Sequence, residues 1–336
     1  MKIVYAFSFI FASHWMAAPA LAQPVADFYR GRTMDFIVGY PPGAGFNAYG
    51  RALATHIGKY VPGNPRLIVR NMPGASSLTA LKYLDTRAPR DGSVIGIINP
   101  ILLNRSILEP GTVGVDFREL TWIGNMSKAP KVCVTTRRSL VANLDDLKSR
   151  RINLAGTSGG SGLVYGSILR RIYPDSIKIV AGYVSNGDIW LAMDRGEIDG
   201  TCTGSEIVLQ HKFLSSGGDT INLIVHFGKE TPPALQGVPS ILSLDISEAM
   251  KQAIVLLSQA DAITRPILAP PGVPPDRAAA LQEAFMKTMQ DAEFLALATR
   301  QGLEIDPTSA HELASMIEEI MNTPPSAVDL ARRLTQ

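Results

Sequence analysis

Short apolar runs alternate with longer amphipathic stretches along most of the chain. "MDFIVGY" reads as a buried strand and precedes a helix spanning about Asn47 to Tyr60. "RLIVRN" is followed by "SSLTALKYLDTRA", and "SVIGIIN" by "ILLNRSIL". Strand-like "TWIGNM" and "KVCVTT" come next, then "INLAG" before "GLVYGSILRRIY", and "IKIVAGY" before "GDIWLAMDRGE". "IDGTCTG" leads into "EIVLQHKFL", and "INLIVHF" follows. Strands separated by helices of this length predict an α/β chain with parallel-type sheets flanked by helices. The last third differs: after "DAITRPILA" and "PPGVPPDR" come three or four helices, with Pro274 and Pro275 suited to a helix start and Gly302 to a helix end. With no Ser/Gly linker present, two lobes must be joined by short crossings. These are placed near Ser127 and Phe227, giving lobe I as 23–127 plus 228–336 and lobe II as 128–227.

The first 22 residues change the picture of compartment. "MKIVYAFSFIFASHWMAAPALA" has one early cation, Lys2, then an apolar run ending in Ala20-x-Ala22. That predicts a signal peptide (1–22) cleaved after about Ala22, and a periplasmic mature chain. About 314 residues then remain, enough for two ordinary domains. The net charge of +2 shows no basic run and no aromatic–basic interleaving, which sets nucleic acid aside as a partner. Cys133 and Cys202 in an oxidising compartment suggest a possible disulfide, with two buried thiols as the alternative; a bridge would close a loop of about 70 residues, worth roughly 4 kcal/mol. His56, His211, His226 and His311 lack metal-ligand spacing, so no metal site or cofactor is expected.

Two glycine-rich turns carry the candidate chemistry. "GYPPGAGFNAYG" (39–50) lies between a strand and a helix, as does "GTSGGSG" (156–162). Each presents backbone N–H groups at the positive end of a helix dipole, where an anion is stabilised. The first contains G-x-G-x-x-A at Gly43–Ala48, a dinucleotide pattern, but the acidic residue expected about 20 positions on is replaced by Arg70-Asn71. The second contains G-x-S-x-G around Ser158, a nucleophile-elbow pattern, without an H-G-G-G-type oxyanion run. A secreted serine hydrolase with Ser158 as nucleophile is the alternative it leaves. Taken together, one loop per lobe would hold a small carboxylate between them without an Arg or Lys. Thr157, Ser158, Ser161 and Asn47 would add neutral donors.

Several motifs in order carry a family likeness. "FIVGYPPGAGFNAYGRALATHI", "VRNMPGASSLTALKYL", "APRDGSVIGII", "FRELTWIGNM", "AGYVSNGDIWLAMDRGEIDGTC" and "ILAPPGVPPDRAAALQEAF" resemble the solute receptors of tripartite tricarboxylate transporters, also called Bug receptors, over nearly the whole mature chain. The resemblance implies a two-lobed, type II-like periplasmic binding protein with a ligand cleft between its lobes. It implies capture of a small carboxylate or related solute, delivery to membrane permease subunits, a monomer, and no catalysis. By the motif match, Tyr40, Pro42, Gly43, Ala44, Gly45, Phe46 and Asn47 line the first site, and Thr157, Ser158, Gly159, Gly160 and Ser161 the opposing loop. Ser76, Ser77, Asn99, Tyr183, Ser205 and Glu206 fall where cleft residues are expected.

The chain also departs from the family's pattern. The family's first loop usually reads P-P-G-G-G, then Ser, Thr or Tyr, then Asp. Ala44 stands for a glycine, so a left-handed backbone there would be strained. Phe46 offers an apolar wall, and Asn47 replaces the aspartate that could meet an amine. These departures point away from an amino acid and toward an uncharged-tail or aromatic monocarboxylate, or a dicarboxylate. Glu206 argues mildly against citrate.

Overall fold

The computed structural model describes residues 25–157, 161–183, 185–210 and 221–335. The expected signal peptide and its cleavage point lie outside them, as do Ser158, Gly159 and Gly160. In chain order the helices and strands are α1 (Val25–Tyr29), β1 (Thr33–Val38), α2 (Gly45–His56), β2 (Arg66–Asn71), α3 (Leu78–Thr86), β3 (Val94–Ile97) and α4 (Ile101–Leu108). Next come β4 (Thr121–Asn125), β5 (Lys131–Thr136), β6 (Ile152–Thr157), α5 (Ser161–Ile172), β7 (Ile177–Tyr183), α6 (Asn186–Arg195), β8 (Gly200–Gly204), α7 (Ser205–Gln210) and β9 (Ile221–His226). The remainder is α8 (Glu248–Ala262), β10 (Pro266–Ala269), α9 (Pro275–Met289), α10 (Ala292–Arg300), β11 (Thr308–Ser309), α11 (Ala310–Met321) and α12 (Pro325–Thr335).

Two sheets form, in the orders β11-β4-β10-β3-β1-β2 and β7-β6-β8-β5-β9. The first takes strands from both ends of the described chain, the second only from its middle. Both are mixed, which corrects the expectation of parallel-type sheets. β1 runs parallel to β2 and β3, but β10 is antiparallel to both β3 and β4. β6 is parallel to β7 and β8, whereas β5 is antiparallel to β8 and β9. The continuous apolar runs have their reason in burial: "VIGI" of β3 is buried at every position, as sheets covered on both faces require.

Local chemistry sets several ends. Ser185 and Asp188 form a capping box on α6, and Ser309 with Glu312 does the same on α11. Pro275 opens α9, and Gly302 takes the left-handed φ of +65° just past α10. α8 was not among the expected helices; its Ala253, Ile254 and Leu256 are fully buried. They belong to a core that runs from Leu81 and Leu84 through Leu102 of α4 to Ile168 and Leu169 of α5, so apolar packing is continuous between the two sheets. Cys133 and Cys202 stand opposite each other on β5 and β8 and are disulfide-bonded.

Candidate ligand-binding cleft

Strand direction decides which residues reach the cleft. In open α/β sheets the crevice outside the carboxyl ends of the parallel strands is where ligands bind. In the first sheet those ends deliver Tyr40 after β1, Asn99 after β3 and Ser127 after β4. Because β10 runs the other way, its start lies at the same edge: Pro266 pairs with Asn125, and Arg265 precedes it. The second sheet repeats this logic. β6 and β7 end at Thr157 and Tyr183, which stand opposite each other, and β8 runs into Ser205 and Glu206. Antiparallel β5 starts at Lys131, opposite Gly204. A cleft of about 1030 Å³ lies between these edges, lined by Phe46, Tyr49, Asn99, Arg265 and Glu304 and by Lys131, Tyr165 and Glu206.

The first glycine-rich loop is unstrained at Ala44. Its φ of −75° and ψ of 155° are ordinary extended values. Gly43 takes the left-handed φ of +88° instead, so the family's extra glycine is not needed here. The N–H groups of Asn47 and Ala48 return to the Ala44 carbonyl, while those of Gly45 and Phe46, the first two helical residues, have no acceptor within the helix. Tyr40 and Phe46 stack with centroids 4.7 Å apart and planes 5° from parallel. The Asn99 amide donates to the Tyr40 hydroxyl at 2.6 Å, and the Asn71 amide to the Tyr40 carbonyl at 2.6 Å.

Arg265 completes this end of the cleft. Its guanidinium carbon lies 4.6 Å from the Phe46 ring centre and 4.7 Å from that of Tyr49. It also sits beside the start of α2: a Cβ on Gly45 would be 4.0 Å from its Nη2. Its backbone N–H donates to the Asn125 side chain at 2.9 Å and Nη1 donates to the Thr264 carbonyl at 2.8 Å, but buried Nε has no partner. Among the described residues no carboxylate lies within ion-pair distance of it. Burial pulls the guanidinium below its usual value, against the opposing pull of Tyr49 and Glu206. A cation and a helix N-terminus side by side both favour an anion.

The other charges fall into two groups. Lys131 pairs with Asp261 at 3.0 Å, and Tyr165 also bonds to Asp261. Burial opposes the Lys131 charge, but the carboxylates of Asp261 and Glu206 outweigh it and hold the ammonium above its usual range. Glu206 and Glu304 each have a buried Oε2 without a hydrogen-bond partner. Burial, then the charges of Glu206 and Asp306, push the Glu304 carboxyl up. Tyr49 is clamped to Glu304: its hydroxyl donates to the Glu304 carbonyl at 3.1 Å and accepts from its N–H at 2.9 Å.

The expected site residues separate under this geometry. Phe46, Asn99 and Glu206 line the cleft, and Tyr40 stands behind Phe46. Pro42 and Gly43 are exposed, and Asn47 is buried, with its Oδ1 accepting from Arg51 and its Nδ2 unpartnered. Ser77 is fully buried; its hydroxyl donates to the Gly39 carbonyl at 3.2 Å and accepts from the Asn99 N–H at 3.2 Å. It locks the loops after β1 and β3 together instead of facing the cleft. Ala75, Ser76 and Ser77 all have positive φ, and Ser76 is exposed. Ser205 is buried, its N–H donating to the Pro130 carbonyl at 3.0 Å. Ser161 opens α5. Sequence reasoning missed Arg265, Lys131, Glu304, Tyr49 and Tyr165. Where the sequence led to a site without Arg or Lys, Arg265 stands at the first loop itself. Arginine immediately before the buried strand "PILA" was a usable signal.

Among the described residues no group of three His, Cys, Asp or Glu could hold a metal ion, and no helix is long and apolar enough to cross a membrane. No protein-family model matches the chain, and no curated protein matches it. Solved structures do. A TctC solute-binding protein from Polaromonas superposes with a TM-score of 0.70 at 16% identity, over 91% of this chain and 98% of that one. This chain has the fold of a periplasmic solute-binding protein. The periplasmic binding protein BugD gives a TM-score of 0.56 at 15% identity over 91% and 98% of the two chains. Rpa4515 of R. palustris, solved with adipate, gives 0.56 at 17% identity over 91% and 97%. The fold they share with this chain is the one that the sequence resemblance implied. At such identities the likeness is one of fold. Nothing in it supports the serine-hydrolase expectation at Ser158.

Proposed function

We propose that this chain is a periplasmic receptor that captures a small carboxylate in the cleft between its sheets and delivers it to the permease subunits of a tripartite tricarboxylate-type transporter. The observation that carries the reading is Arg265, held by Phe46 and Tyr49 beside the start of α2 with no carboxylate among the described residues as ion-pair partner. A desolvated guanidinium at a helix N-terminus is a site for an anion, and the fold is shared with a protein solved with adipate. The mechanism is binding without turnover. A solute reaching both edges of the cleft has its full set of contacts only when the lobes are closed, so it shifts the population toward that form. The closed, loaded form is the one that a permease would read.

A thermal-shift screen of mono-, di- and tricarboxylates, followed by titration calorimetry, tests this. A cognate acid at 100 times its dissociation constant should stabilise the folded chain by about 2.7 kcal/mol. A chain that no carboxylate stabilises, but that labels at Ser158 with a fluorophosphonate probe, would overturn it.

A further inference from the structure

The charges lining the inner cleft do not balance for a simple acid. Lys131 is committed to Asp261 at 3.0 Å. Of the other charged groups lining the cleft, Arg105 pairs with Glu109, Arg332 pairs with Asp329 and Arg170 is exposed, which leaves Arg265 and the carboxylates of Glu206 and Glu304. Each of the three has an atom sealed from solvent and without a hydrogen-bond partner. Glu206 comes from the β8–α7 junction and Glu304 from the segment after α10, so they approach from opposite edges of the cleft. With the glutamates ionised, a dicarboxylate would place two more negative charges beside two that are already poorly solvated. A monocarboxylate would satisfy Arg265 and leave the buried Oε2 of each glutamate without a hydrogen-bond donor. Leaving buried charges without partners is costly, and a cationic group of the ligand removes that cost.

We infer that the solute is a small amphoteric molecule, its carboxylate held by Arg265 and the start of α2 and its cationic nitrogen held by Glu206 and Glu304. This rests on the receptor reading above and narrows it. It also reverses the expectation drawn from Asn47. The aspartate absent from the first loop is not needed to meet an amine, because two carboxylates arrive from elsewhere in the fold. The aromatic faces of Phe46 and Tyr49 do not serve the ligand's cation, since both are already taken by Arg265.

The test uses paired probes that differ only by an amino group: glutamate and glutarate, 5-aminopentanoate and pentanoate, phenylalanine and 3-phenylpropanoate. Each is titrated into the mature chain by calorimetry at neutral pH. In any pair that binds, the amino member should bind at least about tenfold more tightly. Glu206→Gln and Glu304→Gln should each erode that preference while leaving the unliganded melting temperature equal or higher. A des-amino member that binds as tightly as its partner, or more tightly, overturns the inference and leaves the receptor reading standing. Absence of binding by every amino member, in a chain that a carboxylate of the wider screen does stabilise, overturns the inference alone; absence of stabilisation by any acid of that screen as well overturns both. Preference for the amino member that survives both glutamine substitutions overturns the assignment of the cationic end.

Discussion

Replacing Arg265 with methionine should separate binding from stability. The substitution keeps the length of the side chain and removes its charge. Its cost to the folded chain is the loss of two ring contacts, about 1–2 kcal/mol together, and of the Nη1 hydrogen bond to the Thr264 carbonyl. Against this stands relief from burying a guanidinium that no carboxylate among the described residues pairs with, a penalty of several kcal/mol in its own right. The two nearly offset, so the unliganded melting temperature should move by less than about 5 °C. Binding has no such offset. A charge-assisted hydrogen bond to a ligand carboxylate is worth about 1.5–3 kcal/mol, which corresponds to a roughly 10- to 150-fold loss of affinity. Arg265→Lys keeps the charge but not the planar fork and should fall between the two. Calorimetry with the best carboxylate from the screen, beside a melt of the unliganded chain, reads both quantities. Affinity within about twofold of the native chain would refute the assignment of Arg265 as the anion anchor. A collapse in melting temperature with intact affinity would make it a packing residue.

Gly45→Val should abolish binding with the fold intact, because a Cβ there meets nothing closer than Arg265 at 4.0 Å and so grows into the anion position; normal binding would sink the first-loop assignment. Gly50→Ala, one turn further along α2, would place its Cβ 2.8 Å from Val38 and 3.1 Å from Phe36, and should cost about 1–2 kcal/mol in denaturant unfolding despite better helix propensity. Replacing Cys133 and Cys202 together by serine should lower the unfolding free energy by about 4 kcal/mol, since the bridge spans a separation of 69 residues; a loss below about 1 kcal/mol would contradict the loop-closure account. Glu304 supplies a pH signature. Its folded carboxyl is raised above the ordinary 4.5 by burial, then by Glu206 and Asp306, with Arg265 and Lys131 among the cations lining the same cleft. The folded chain therefore holds this proton more tightly than the unfolded one, so its contribution to stability falls as pH rises from the ordinary glutamate value through the raised one. Glu304→Gln should remove that fall, and its melting temperature should gain on the native chain as pH increases across that window.

Much of the architecture was legible along the chain. Apolar runs such as "VIGI" and "TWIGN" are strands because two covered faces demand unbroken burial, and the alternation with helices follows from that. The turn at Gly43–Asn47 was legible because a strand, a glycine turn and a helix start are all local features. Helix α8 escaped notice because residues buried within the shared core leave a weaker periodic trace than a helix with one wet face.

Local pattern thus determined most of the order of elements and the two glycine-rich segments, with Tyr40 and Phe46 in the first, while Asn99 and Glu206 were reached through the family resemblance. Tertiary structure alone decided the charges of the cleft. Arg265 and Lys131 reach it because β10 and β5 run antiparallel to their neighbours, which brings the start of each strand to the edge where the other strands end. Nothing within "TRPILA" or "PKVCV" states the direction in which the strand will be laid. Direction is settled by pairing with strands more than 60 residues away, Cys133 with Cys202 among them. Glu304 and Ser77 teach the same point in opposite senses. A polar residue in a loop becomes a cleft group or a buried lock between loops according to what the distant chain packs against it, and a sequence carries that information only through the whole fold.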